Sequence, residues 1–163
     1  MKFTDSVEIG LSRDETVRLL SDPTHLPMWL RGLVRHEPVS GGHGEVGSVS
    51  RVVLRQGDDV VEGLETVTAR EPDELSDVPG ETDVVYEREL VVDGMRHVTR
   101  DRLITLNPRR TRWESQSEVY FDKLAMRLAA PLMRGAFQKQ TRRHMQDFKA
   151  YAEQGIDVRS VEN

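Results

Sequence analysis

The sequence lacks cysteine, has few aromatic residues and contains no long hydrophobic run. Because none of the 163 residues is cysteine, disulfides, thiol catalysis and cysteine-bound metals are excluded. The longest apolar stretch, "LAMRLAAPLM", is short and contains Arg127, so we expect no insertion into a membrane. The opening "MKFTDSVEIG" lacks the apolar core of a signal peptide, and we therefore expect a cytoplasmic protein.

The net charge is acidic, but the charges are unevenly distributed along the chain. A net charge of −5 argues against general nucleic-acid binding. Residues 95–149 nevertheless contain 13 Lys and Arg against 5 Asp and Glu. Such an excess would suit a basic face for a phosphate or for a membrane surface. We favour the alternative that these charges are the solvated sides of strands and a helix, because no aromatic residues lie between the arginines.

Length and composition predict one folded domain. Hydrophobic residues make up 37% of the chain and charged residues 31%, which is typical of a globular protein with a single core. The last residues, "IDVRSVEN", are polar and carry no periodic apolar pattern. We therefore predict a single domain over residues 1–155 and a frayed tail over residues 156–163.

The N-terminal third predicts one strand followed by two short helices. "KFTDSVEI" alternates as a strand does, and Ser12 and Glu15 then match the capping box that begins a helix. Pro23 ends that helix, and Pro27 interrupts the next turn because it lacks an amide hydrogen. The second helical piece should carry Trp29 and extend to Leu33.

Six strands and one long helix should complete the fold. The strands are separated by short turns such as "GDD" and "DG", which predicts an antiparallel sheet. From about Lys123 to Gln154 apolar residues recur every three or four positions, which indicates a helix about 45 Å long. Pro131 and Gly135 predict a kink or a break in it, and Gly155 is a natural stop.

This order of elements resembles the START-like, helix-grip superfamily, also called SRPBCC, and within it the polyketide cyclase/dehydrase and lipid-transport branch. The local matches are "DPTHLPMWL", "ETVTAREPDEL" and "LMRGAFQKQTRRHMQDFKAY", and the resemblance covers nearly the whole chain. It implies an α+β fold in which a curved antiparallel sheet of about seven strands wraps around the C-terminal helix. It also implies a pocket between sheet and helix, with Trp29 as a wall or lid of that pocket. The alternative is that Trp29 fills the core, as large aromatic residues usually do.

Strand alternation predicts which side chains face this pocket. In residues 60–70 the inward set includes Glu65 and leaves Arg70 outside, and the later strands contribute further inward residues. The predicted ligand-binding residues are Trp29, Leu33, Glu65, Tyr86, Arg88, His97, Trp113, Ser115, Leu132, Met133 and Phe137. The candidates for proton transfer are Glu65, His97 and Asp101.

Each polar candidate also has a purely structural interpretation. Arg88 and Asp101 would form a buried ion pair, and His97 would hydrogen-bond a neighbour. Loss of water should raise the pKa of an inward Glu65. His144 is expected on the solvated face of the long helix. No pattern predicts a metal site or a cofactor.

Three functions remain open from the sequence. The first is binding of a hydrophobic small molecule, such as a lipid, a polyketide or an aromatic compound, in an internal cavity. The second is a polyketide cyclase or dehydratase, which would require polar groups that converge at one depth of the pocket. The third is an interaction protein that uses a basic face. The oligomeric state is open, with a monomer as the expectation.

Overall fold

The computed structural model describes residues 1–75 and 77–161 and contains one antiparallel sheet with four helices in this described part. The elements are β1 (Lys2–Ile9), α1 (Arg13–Ser21), α2 (Leu26–Trp29), β2 (Leu33–Ser40), β3 (Val49–Gln56), β4 (Asp59–Glu71), β5 (Val84–Val92), β6 (Met95–Asn107), β7 (Arg110–Phe121), α3 (Leu124–Gln154) and α4 (Val158–Val161). The seven strands lie in the order β1-β7-β6-β5-β4-β3-β2. The predicted α+β architecture is confirmed. Within the described ranges, no helix is long and apolar enough to cross a membrane.

The sheet buries one face, as the alternating sequence predicts. Every second residue of β1 is buried, and its neighbour β7 shows the same alternation over most of its length. The two strands pair antiparallel, with Phe3 opposite Ser117 and Val7 opposite Trp113. Because the period of a strand is two, this register places both buried sets on the side that α3 covers.

The first helix begins where the sequence predicts. The Ser12 side chain accepts a hydrogen bond from the Glu15 amide, and the Glu15 carboxylate accepts one from the Ser12 amide at 3.1 Å. Arg13 is 2% exposed because its guanidinium donates to the carbonyls of Pro79 and Thr82 at 2.7 and 2.6 Å. The capping box therefore fixes the start of α1, and Arg13 ties residues 79–82, just before β5, to this helix.

Two prolines shape the short second helix. Pro23 follows the end of α1, and Pro27 lies in the first turn of α2, where its missing amide hydrogen costs nothing. α2 ends at Trp29, and Leu33 is the first residue of β2. The predicted pair of short helices is confirmed, but the extension of the second piece to Leu33 is wrong, since the chain turns at residues 30–32.

A bulge in β4 changes the face of Arg70. The register of β4 with β5 shifts between Val67 and Ala69, so one extra residue lies on β4. Arg70 then lies beside Trp29 and Tyr86 on the inner side of the sheet instead of outside. The prediction for Arg70 is wrong because a one-residue bulge reverses every later side chain of the strand.

The long helix α3 runs without interruption from Leu124 to the left-handed cap at Gly155. The alternative of a break at Pro131 or Gly135 is therefore wrong. Phe148 and Met145 are 0% and 2% exposed and join the main core, whereas Leu132 is 89% exposed. Sixteen residues separate Leu132 from Phe148, which at about 100° per residue places them on nearly opposite faces.

The segment after α3 is helical where it is described. Asp157 accepts a hydrogen bond from the Arg159 amide at 2.9 Å, and α4 follows over Val158–Val161. Val158 is 3% exposed, and α4 packs against α2. The predicted frayed tail does not fit these residues, because a buried valine anchors them; residues 162 and 163 lie outside the described residues.

Candidate functional site

Two adjoining cavities lie between the inner face of the sheet and α3. Their volumes are about 160 and 120 Å³. The side chains that line both cavities come from the end of α2, from β5 and β6 and from α3. These shared residues are Leu30, Arg88, His97, Thr99, Thr141 and His144. We refer to the pair as the inner cavities.

The two inner cavities differ in the rest of their walls. The larger one is bounded by apolar side chains of β3, β5, β6 and α3, together with Glu65. The smaller one reaches Trp29, Trp113 and Ser115. Most of the wall surface of each cavity is apolar, but polar side chains are the majority of the lining residues. Small-molecule sites likewise combine apolar walls with polar groups, although usually with fewer of them.

A wider open cleft lies outside the larger cavity. It measures about 780 Å³ and is formed by the α2–β2 connection, the end of β3, α3 and α4. It shares Leu30, Gln56, Gln140 and His144 with the larger inner cavity. We call it the outer cleft, and it adjoins the larger inner cavity because these four side chains line both.

A charged network crosses the inner face at Arg88. The guanidinium lies 2.8 Å from an oxygen of Asp101 and 3.7 Å from one of Glu65. The other Asp101 oxygen accepts a hydrogen bond from Trp113 Nε1 at 2.8 Å. The predicted buried pair of Arg88 and Asp101 is present, and Glu65 extends it to a third charge.

The pKa of Glu65 shifts in the direction opposite to the prediction. Burial by itself raises the pKa of this carboxyl, but the positive charge of Arg88 and a hydrogen bond with His36 lower it below its ordinary value. His36 Nε2 lies 3.5 Å from Glu65. The predicted rise is wrong because it considered only the loss of water and omitted the two partners.

His97 faces the inner cavities and is neutral at pH 7. Its pKa is lowered to about 4, first by burial and then by the charge of Arg88, while the charges of Asp101 and Glu65 act in the opposite direction. Its Nε2 lies 3.3 Å from the hydroxyl of Thr99, so the expected hydrogen bond to a neighbour is present. A neutral imidazole in a cavity wall can donate or accept a hydrogen bond with a ligand.

Trp29 belongs both to the core and to a cavity wall. It is 4% exposed, and its ring packs edge-on against Phe148 and Trp113 at centroid distances of 5.2 and 6.3 Å. It also lines the smaller inner cavity. Trp29 Nε1 and Arg88 Nε are buried and form no hydrogen bond with any residue of the described ranges. Trp29 is therefore not an exposed lid.

The other predicted ligand-binding residues are divided among several places. Phe137 lines the larger inner cavity, and Leu33 lines the outer cleft. Tyr86 lies in a separate space of about 30 Å³ beneath α1. Met133 is half-buried but lines none of these spaces, and Leu132 points to solvent. The inward prediction for Leu132 is therefore wrong, for the helical reason given above.

His144 is the residue that sequence reasoning missed. It lines the outer cleft and both inner cavities instead of standing on a solvated face. Burial lowers its pKa, while the charge of Asp147 raises it and that of Arg143 lowers it. His144 lies seven residues after Phe137 and four before Phe148, so the helical spacing of the buried face could have located it.

The fold is shared with solved structures, although the sequences are far apart. A START superfamily protein from Mycobacterium smegmatis superposes with a TM-score of 0.74 at 13% identity, over 94% of this chain and 97% of that one. An aromatase/cyclase from Streptomyces sp. R1128 gives 0.73 at 13% identity, over 100% and 98%. Norcoclaurine synthase from Thalictrum flavum, in complex with dopamine and hydroxybenzaldehyde, gives 0.61 at 15% identity, over 91% and 84%.

These similarities define the class of fold. The chain has the START-like helix-grip fold, so the predicted resemblance is confirmed at the level of architecture. No protein-family model matches the sequence, and no curated protein is similar to it in sequence. The activity must therefore be inferred from the site.

Proposed function

We propose that the protein binds a hydrophobic small molecule, such as a lipid, a polyketide or an aromatic compound, between the sheet and α3. The observation that carries this proposal is the pair of inner cavities, whose walls come from both layers of the fold. A fully packed core would leave few voids larger than a water molecule at this interface. The solved norcoclaurine synthase, of the same fold, is in complex with two small aromatic compounds.

The size of the cavities limits the ligand. At about 160 and 120 Å³ each is smaller than the roughly 300–1,000 Å³ of a typical ligand pocket. A compact ligand would fit inside, and a longer one would extend into the outer cleft.

A second candidate function is a polyketide cyclase or dehydratase. It is favoured by the convergence of Glu65, His97 and Asp101 around Arg88, since an acid–base enzyme requires such groups at one depth. General acid–base catalysis works best with a pKa near the working pH. The pKa values of Glu65 and His97 are both lowered, away from neutrality. We therefore place binding first.

Titration with a neutral, environment-sensitive dye such as Nile red tests the proposal. We expect saturable binding with about one site. Thr141→Phe would fill the space that both inner cavities share and should weaken binding at least tenfold. Gln146→Phe is the matched control, because it adds the same ring to an exposed position of α3. Equal binding by both folded variants would contradict a site in the inner cavities.

Product analysis separates the two candidates. A binding protein returns its ligand unchanged, as judged by mass spectrometry after incubation. A cyclase would convert a linear polyketide analogue, and Glu65→Gln would remove that turnover while the dye still binds. Conversion by the wild-type protein would favour the enzyme over the carrier.

A further inference from the structure

The outer cleft is lined by cations and by no carboxylate among its described residues. Its five basic side chains are Arg31, Arg55, Lys139, Arg143 and Arg159. Two of them pair with acids that lie outside the wall: Arg31 with Asp147 at 3.0 Å, and Arg159 with Asp157. The cleft therefore holds more positive charge than its surroundings balance.

The other three cations have no partner within the described ranges. Arg55, Lys139 and Arg143 form no ion pair there with any carboxylate. Lys139 and Arg143 are four residues apart, so they lie on one face of α3, and like charges at this spacing repel each other. Arg55 belongs to β3 on the other wall. Positive charge thus enters the cleft from both sides.

Unlike the cations of the outer cleft, the arginines on the outer face of the sheet are paired with acidic side chains. Arg96, Arg100 and Arg102 each pair with an acid of β5 or of the segment just before it, at 3.1 Å for Glu89 and 3.2 Å for Glu87. The excess of Lys and Arg in residues 95–149 is interpreted above as the solvated sides of strands and a helix, and this interpretation accounts for these three arginines. Arg55, Lys139 and Arg143 are exposed as well, but they differ from the cations of the sheet because no described acid pairs with them and because they line one concave space.

We propose that the ligand is amphiphilic and carries an anionic head group, a carboxylate or a phosphate, which the outer cleft binds. This inference rests on the proposed binding of an apolar body in the inner cavities. The outer cleft and the larger cavity share Gln56, Gln140 and His144. A ligand that enters through the cleft would place its head among Arg55, Lys139 and Arg143 and its apolar part against Leu30. Charge-assisted hydrogen bonds are roughly twice as strong as neutral ones, so the head would contribute strongly to affinity.

Displacement of bound Nile red by three ten-carbon compounds tests the inference. The probes are decanoate, decyl phosphate and 1-decanol, which share a chain and differ in the head group. We expect at least one anion to bind tenfold or more tightly than the alcohol at low salt. This preference should shrink as salt is added, because salt screens the cations. Decanoate and decyl phosphate separate the two head groups.

Two double variants test whether the preference for an anionic head group arises in the outer cleft. Arg55→Gln with Arg143→Gln should remove most of the preference for the anion, since Lys139 alone remains of the three unpaired cations, and should leave the affinity for decanol unchanged. Lys123→Gln with Arg127→Gln is the control, because it removes the same charge from exposed positions that do not line the cleft. It should keep the preference for the anion.

The outcomes distinguish a failure of the anionic-head inference from a failure of the proposed binding of a hydrophobic molecule. If the dye and decanol bind but decanoate and decyl phosphate bind no more tightly, the anionic head is wrong and the hydrophobic site stands. If the preference survives in the Arg55 and Arg143 variant, or disappears in the control, the outer cleft is not the anion site. If none of the probes binds to the folded protein, both the proposed function and this inference are wrong.

Discussion

The two halves of α3 both carry apolar side chains at helical spacing, but these side chains are buried very differently. In the C-terminal half Met145 and Phe148 are 2% and 0% exposed. In the N-terminal half Leu124, Leu128 and Leu132 are 68%, 73% and 89% exposed. Apolar side chains at helical spacing therefore do not by themselves show which face of a helix is buried.

The difference follows from what each half faces. Phe148 packs edge-on against Trp29 and Trp113, at ring distances of 5.2 and 5.3 Å, so the C-terminal half closes the core. The middle of the helix lines the inner cavities and the outer cleft through Thr141 and His144. Stability and ligand access thus depend on different stretches of one helix, and variants can separate them.

Shortening one side chain in each half of α3 should give the largest difference in the free energy of unfolding. Phe148→Ala removes a ring from the core and should lower the free energy of unfolding by about 3–5 kcal/mol. Leu132→Ala removes a solvated side chain and should change it by less than about 0.5 kcal/mol. Urea unfolding followed by circular dichroism measures both. A loss of several kcal/mol in Leu132→Ala would mean that the N-terminal half packs in solution.

Acid should weaken the fold through His97, which lies under the middle of α3. The folded protein takes up the His97 proton only near pH 4, whereas the unfolded chain takes it up near pH 6.5. The unfolded state binds more protons between these values, so stability falls as the pH drops through this window. The shift corresponds to a loss of up to about 3 kcal/mol.

Replacing the imidazole of His97 shows how much this side chain contributes to the pH dependence of stability. In His97→Gln the loss of stability between pH 6.5 and pH 4 should be smaller than in the wild-type protein. His144, whose pKa burial also lowers, is present in both proteins and cancels in the difference. Urea unfolding at each pH gives the two slopes, and identical slopes would contradict a depressed pKa at His97.

The features that the sequence predicts well are those decided within a few residues. Ser12 and Glu15 form the capping box because the two side chains lie three residues apart in one chain segment. Gly155 ends α3 because a left-handed residue is needed there. The alternation of β7 identifies Trp113 and Ser115 as inward because a strand has a fixed period.

The features that it predicts poorly depend on distant parts of the chain. Arg70 faces inward only because β4 bulges against β5. The pKa of Glu65 is set by Arg88 and His36, which belong to other strands. Leu132 shows that helical spacing defines faces but not which face meets the sheet. Site residues therefore require the assembled fold, even when every element is correctly located.

Gly135 inside α3 and Gly155, the cap that follows it, give the smallest and most direct comparison of the two ends of the helix. Gly135 is exposed in the helix interior, and a methyl group added there would have no described atom within 4 Å. Gly135→Ala should raise the free energy of unfolding by about 0.5–1 kcal/mol, because alanine loses less backbone entropy in a helix.

Gly155 has a φ of 68° at the helix cap. Gly155→Ala should lower the free energy of unfolding by about 1–2 kcal/mol, because a side chain is strained in that conformation. Urea unfolding of the two variants side by side checks the opposite signs, and a destabilised Gly135→Ala would show that the N-terminal half is not the regular exposed helix described here.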